Sequence, residues 1–241
     1  MALLRRFLHE VTRVPRSWAG SLASSCLSDP SLWDRLHAQE LPGSAPNFDW
    51  FFGYEEVQGL LLQLLQKGSP LGPAVAPLKV LDVGCGTSDL CPGLYAKCSL
   101  PLNVLGVDFS PVAVSRMKAL LEGDGDHPGL HPRHPASQLH FLQADARCLG
   151  SVCPSGSFQL VLDKGTWDAV ARGGRAGTEQ LLSECLRVLA PQGTLVQFSD
   201  EDPDVRLPCL EQGAGSRLVT VHELGPFRGL DYFAYLVQAA Q

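Results

Sequence analysis

Residues 78 to 88 read Leu-Lys-Val-Leu-Asp-Val-Gly-Cys-Gly-Thr-Ser. An apolar strand that runs into Gly84-Cys85-Gly86 and straight on toward a helix has few ways to fold, because both glycines permit a turn that side chains would block. Such a turn serves a backbone that must approach a ligand closely. Asp108 stands 22 residues after Gly86, at the end of the next apolar run, where an acid can accept from ribose hydroxyls. Position 89 is aspartate. A dinucleotide site would place a third glycine there beside its pyrophosphate, so the pattern favours a nucleoside ligand without one.

The same alternation continues along the chain. Short apolar runs predict strands over 78–83, 103–108, 139–144, 158–163 and 193–199, the last after a Pro191-Gln192-Gly193 turn. Helical spacing falls at 57–66, 90–97, 111–121 and 179–189, with Ser110 as N-cap and Pro111 at the first helical position of the third. Residues 217–224 and 232–237 alternate like a terminal antiparallel pair. Repeated strand-helix-strand units imply a doubly wound α/β sheet with helices on both faces.

Charge and apolar patterning narrow the partners. The 241 residues carry a formal net charge of −6, which lacks the basic field that attracts a phosphate backbone and argues against nucleic acid. Charged residues or proline interrupt every apolar run before the roughly 18 residues needed to cross a bilayer, which argues against a membrane partner. The eight cysteines include no pair at two-residue spacing, so neither a zinc ribbon nor a dithiol motif is expected, and reduced, buried thiols are. No metal site is expected.

Residues 1–28 differ from the rest. Arg5, Arg6, Arg13 and Arg16 stand against the single acid Glu10, with Leu3, Leu4, Phe7, Leu8 and Val11 near helical spacing. An arginine-rich, amphipathic, acid-poor amino end is the composition of a mitochondrial transit peptide, and its arginines leave no room for a secretory apolar core. The division expected is a transit peptide over 1–28 and one catalytic domain over 29–241, acting in the mitochondrial matrix.

Leu81-Asp82-Val83-Gly84-Cys85-Gly86-Thr87, Asp108, Ala144-Asp145-Ala146 and Leu186-Arg187-Val188-Leu189-Ala190-Pro191-Gln192-Gly193 occur in this order. Together they resemble the motifs of the class I S-adenosylmethionine-dependent methyltransferases. The resemblance implies a Rossmann-like, doubly wound seven-strand sheet with an antiparallel C-terminal strand, and S-adenosyl-L-methionine as cofactor. It implies contacts from Gly84, Gly86, Asp108 and its neighbour Phe109, and from Asp145 and Ala146 at the adenine.

Strand four ends in Asp163-Lys164-Gly165-Thr166-Trp167-Asp168. The segment lacks the Asn/Asp-Pro-Pro-aromatic tetrad of base and glutamine methyltransferases, and is similar to the protein-lysine methyltransferases related to the elongation factor 1A enzymes. That resemblance implies cofactor contacts from Lys164 and from Trp33 in Trp33-Asp34-Arg35-Leu36. It adds His37 and Phe48, which stand where the family usually has tyrosines. Asp49-Trp50-Phe51-Phe52-Gly53-Tyr54, Phe198-Ser199-Asp200-Glu201-Asp202-Pro203 and the presequence resemble the mitochondrial citrate synthase lysine methyltransferases, which implies citrate synthase as protein partner. A small-molecule methyltransferase of the matrix stays open as the alternative, as does a silent cofactor-binding module.

Lysine near pKa 10.4 must lose a proton before it can attack, so a nearby acid is a candidate to orient the amine or take that proton. Asp163 is the catalytic candidate, with the holding of Lys164 and its loop as its other reading. Trp167 could line the amine channel or pack. His127, His131, His134 and His140 read as a solvated loop, and so does the acidic run Asp200, Glu201, Asp202 and Asp204. Tyr232 and Tyr235 read as packing residues.

Overall fold

A computed structural model of the protein describes Leu27 and residues 29–38, 49–67, 76–123, 128–227 and 229–240. The expected presequence, apart from Leu27, lies outside the described residues, as do Phe48 and His127.

The chain begins with α1 (Pro30–Ala38) and α2 (Tyr54–Lys67) and then alternates: β1 (Leu78–Val83), α3 (Leu90–Lys97), β2 (Leu102–Asp108), α4 (Pro111–Glu122) and β3 (Gln138–Gln143). It continues through β4 (Phe158–Lys164), α5 (Thr166–Ala171), α6 (Arg175–Val188), β5 (Leu189–Ser199) and α7 (Pro203–Ala214) to β6 (Leu218–Phe227) and β7 (Leu230–Gln238). The seven strands form one sheet in the order β3-β2-β1-β4-β5-β7-β6. β7 runs antiparallel to both β5 and β6, while β1 to β5 are parallel.

Strand periodicity divides the core. On β1, Leu78 and Val80 face a layer formed with Val57, Leu61, Leu94 and Met117, while Leu81 and Val83 face Trp167, Leu181, Cys185 and Leu210. Both faces are covered, which is why the central strands read as almost unbroken apolar runs. Five of the seven described cysteines are buried within these layers.

The order of strands places the site. Chain crossovers leave β1 toward β2 on one side and return to β4 on the other, so the carboxyl ends of β1 and β4 bound a crevice that no connection covers. Ser110 caps α4 as its sequence predicts, its Oγ accepting from Ala113 N at 3.3 Å beside Pro111.

Three helices depart from the sequence reading. The acidic run is not a loop: Asp202 is the N-cap of α7, its carboxylate accepting from Asp204 N at 2.9 Å, with Pro203 in the first turn. α1 and α5 are short helices where none was expected. β5 begins four residues before the expected start. Phe158 pairs with Leu189 and Leu160 with Thr194, so the Pro191-Gln192-Gly193 turn is an outward excursion inside the strand.

Candidate active site

A cavity of about 340 Å³ opens at the carboxyl ends of β1, β2, β3 and β4. Gly84 and Gly86 take φ of +64° and +51°, the left-handed region that side chains avoid. A Cβ on Gly84 would lie 2.0 Å from Thr166 Oγ1, and one on Gly86 would lie 2.9 Å from the His37 ring. Both glycines are thus needed for close approach as well as for the turn.

Asp108 is set by the same turn. Its carboxylate accepts from Gly86 N and Ser110 N, each at 2.8 Å, and is otherwise buried. Two amides fix its rotamer and leave lone pairs for a further donor. Burial holds its pKa above the ordinary carboxylate range.

α1 lies over this cavity as a strap. Ser110 donates to Asp34, Arg116 donates to the His37 carbonyl, and Trp33 Nε1 donates to Leu27 O at 2.7 Å. His37 is buried with Nδ1 at 3.3 Å from Thr87 Oγ1. Burial pushes its pKa down to about 4, so its ring is neutral at physiological pH.

Phe109 also lines the cavity and is partly exposed. Asp145 is held by Arg147, whose Nη2 is 2.7 Å from Oδ2 and whose backbone N is 2.9 Å from Oδ1. These bonds lower the Asp145 pKa.

Asp82 lines the cavity although it is almost wholly buried, with Cys91 Sγ at 3.3 Å donating to it. A thiol is a weak donor, and burial raises the Asp82 pKa to about 7.

Lys164 also touches the cavity, but its ammonium points elsewhere. Nζ pairs with Asp49 and donates to Trp50 O at 2.6 Å and Phe52 O at 2.7 Å, which uses its three protons. Between those carbonyls, Phe51 has φ of +67°, a conformation costly for an aromatic residue. Lys164 thus pins a strained aromatic loop, Trp50 included, at the edge of the cavity.

Asp163, the catalytic candidate, sits away from the cavity. Its side chain has no exposure and is not on the cavity wall. Oδ1 accepts from Thr166 N at 3.0 Å and Trp167 N at 3.2 Å, and Gln197 Nε2 lies 2.7 Å from Oδ2. Burial pushes its pKa up to about 7. Successive residues of a strand point to opposite faces, so Asp163 must turn away from the side Lys164 occupies. It organises the first turn of α5.

Nine of the ten sequence-expected cofactor contacts, Trp33, His37, Gly84, Gly86, Asp108, Phe109, Asp145, Ala146 and Lys164, line this one cavity, and the tenth, Phe48, lies outside the described residues.

Residues 80–193 match the family described as methyltransferase domain. The solved N-methyltransferase NodS from Bradyrhizobium japonicum WM9 in complex with S-adenosyl-L-homocysteine shares the fold with a TM-score of 0.58 at 15% identity, covering 88% of this chain and 98% of that one. The chain is 67% identical to citrate synthase-lysine N-methyltransferase, mitochondrial, of Pongo abelii, with all of both chains covered. Its counterpart in Danio rerio is 38% identical over 96% of this chain and 93% of its own length. The chain belongs to the mitochondrial citrate synthase-lysine N-methyltransferases.

Several residues of this S-adenosylmethionine-dependent methyltransferase escaped the sequence reading. Asp82 was visible only as part of the glycine motif, although an acid inside an otherwise apolar, doubly covered strand is itself a signal. Thr166, whose Oγ1 donates to Val83 O at 2.8 Å, ties the end of β1 to α5. Trp50 carries no signal of its own in the sequence, since its position depends on Lys164 more than 100 residues away, which no local pattern reports.

Proposed function

We propose that this methyltransferase transfers methyl groups from S-adenosyl-L-methionine to the ε-amine of a lysine in citrate synthase, in the mitochondrial matrix. The observation that carries the cofactor half is the preformed cavity at the β1/β4 crevice with the Asp108 carboxylate fixed by two backbone amides.

The residues present fit that cofactor. Asp108 has free acceptor capacity for ribose hydroxyls, and the missing side chains of Gly84 and Gly86 leave room for the nucleoside against the backbone. Phe109 and Ala146 offer apolar surface to an adenine, with Asp145 as acceptor for its amino group while shared with Arg147. Asp82, buried and weakly partnered, suits the cationic amino group of the methionine moiety. Trp33 and His37 cover the site from α1 and exclude water.

When bound, the cofactor supplies a methyl carbon activated by a sulfonium. The chain's own task is positioning: Thr166 and Gly84 set the floor, Lys164 holds Trp50 at the edge, and Asp163 holds the start of α5. The neutral His37 ring adds no positive charge beside a cationic cofactor.

The substrate assignment is supported by the full-length identity to the citrate synthase-lysine N-methyltransferase of Pongo abelii. Matrix targeting is supported by the arginine-rich residues 1–28, which we read as a transit peptide removed on import. Mass spectrometry of citrate synthase after incubation with the protein and cofactor should show methyl increments on one lysine. A fusion lacking residues 1–28 should remain in the cytosol. Label transfer from the cofactor to a low-molecular-weight metabolite, with citrate synthase unmodified, would replace the protein-lysine reading by a small-molecule one.

A further inference from the structure

Across Trp50 and Leu27, which both cavities share, lies a second cavity of about 160 Å³. It is too small for a nucleotide and of a size for a short stretch of chain. Trp50 and Trp167 form its aromatic side, Asp168 and Arg206 its polar side.

Asp168 and Arg206 are ion-paired, with side-chain exposures of 18% and 3%. Arg206 Nη2 also donates to Ser199 Oγ at 2.9 Å, and its guanidinium lies 5.2 Å from the Trp167 ring centre. The pair is nevertheless incomplete. Arg206 Nη1 and Asp168 Oδ2 are both buried without a hydrogen-bond partner. Native structures seldom leave a charged donor and a charged acceptor unmatched, and where they do, the missing partner is commonly supplied by a ligand or water.

One donor and one acceptor on the residues of one cavity wall complement a residue of an extended chain, whose own N–H and C=O face the same side. We propose that the Asp168–Arg206 pair reads the main chain of the substrate segment: Arg206 Nη1 donates to a peptide carbonyl and Asp168 Oδ2 accepts from a peptide N–H. The lysine stem then runs past Trp50 from the second cavity into the first. This inference rests on the protein-lysine reading above, and it assigns both residues as positioning residues for the protein substrate.

The test uses two variants of the full chain, with retention of fold checked by the thermal shift on adding S-adenosylhomocysteine. Asp168→Asn keeps an oxygen for Ser199 and Arg206 but turns the unmatched acceptor into a donor. Ala171→Trp fills the same cavity from an exposed position on α5, where a large side chain leaves the core intact. Each should raise KM for citrate synthase about tenfold or more while leaving S-adenosylhomocysteine affinity within about twofold of wild type. Should Asp168→Asn fail to fold, Ala171→Trp decides alone. Unchanged KM for citrate synthase in a folded variant overturns the docking inference and leaves the methyltransferase reading standing. If wild type instead labels a small metabolite and never citrate synthase, both fall together.

Discussion

Cofactor affinity should depend on pH through Asp82. In the free protein its carboxyl titrates near pH 7 because burial disfavours the charged form. A cationic amino group beside it would reverse that, holding the carboxylate ionised. Only the ionised form then binds well, so below pH 7 each unit of acidification should weaken binding about tenfold, and between pH 8 and 5.5 the loss should reach about 30-fold, or roughly 2 kcal/mol. Binding should also release protons, about 0.9 per site at pH 6 and about 0.1 at pH 8. Titration calorimetry with S-adenosylhomocysteine, in buffers of contrasting ionisation heat, reads both quantities. Asp82→Asn is the control, because it keeps an acceptor for Cys91 and removes the charge. Its affinity should be weak and nearly flat over this range, and the difference from wild type isolates Asp82 from Asp89, which burial raises to about 6. A carboxyl with a raised folded pKa binds a proton more readily folded than unfolded. Its contribution to stability therefore falls as pH climbs from about 4 to about 7, and apo Asp82→Asn should gain on wild type over that window. Identical pH profiles of affinity for wild type and variant would refute the placement of the amino group at Asp82.

Asp108→Ala should weaken S-adenosylhomocysteine binding by roughly 1.5 to 3 kcal/mol, about 10- to 150-fold, and lower the melting temperature by leaving Gly86 N and Ser110 N unmatched, as calorimetry and thermal melts will report. Gly84→Ala should abolish measurable cofactor binding, because its Cβ meets Thr166 Oγ1 at 2.0 Å in a left-handed backbone. Lys164→Met removes the partner of Asp49 and of two carbonyls flanking strained Phe51; a loss of about 2 to 4 kcal/mol is expected, read as a fall in denaturation midpoint. Asp163→Asn should leave kcat within about threefold of wild type, since Gln197 Oε1, buried and unmatched, can turn to accept from the new amide. A fall of 100-fold or more would restore Asp163 as a proton acceptor.

What could be read from the sequence was local. The β1 turn, Asp108 and the Ser110 cap each depend on a few neighbouring residues whose backbone demands are distinctive, and all three stand where their spacing puts them. The helices that were missed lack such marks. α5 has six residues and starts after Gly165 in a left-handed conformation, its first amides capped from Asp163 two residues before that glycine, while α7 carries Pro208 inside it and hides its Asp202 cap in an acidic run. α1 is short, and its bonds to Ser110 and Arg116 join residues 76 and 79 apart in the chain. The burial of Asp163 was legible too: placing Lys164 on one face of β4 already sends its neighbour to the other.

α5 is a party wall. Thr166, Ala169 and Val170 border the first cavity, while Trp167, Asp168 and Ala171 border the second. Six residues therefore carry two tenants, and a rotation of the helix that enlarges one room narrows the other. Changes on its two faces will not combine as independent sums, because neighbours in contact share one rigid support. A redesign of acceptor preference that turns α5 must accordingly renegotiate the hold on the nucleoside, whereas a side-chain change confined to the second face need not.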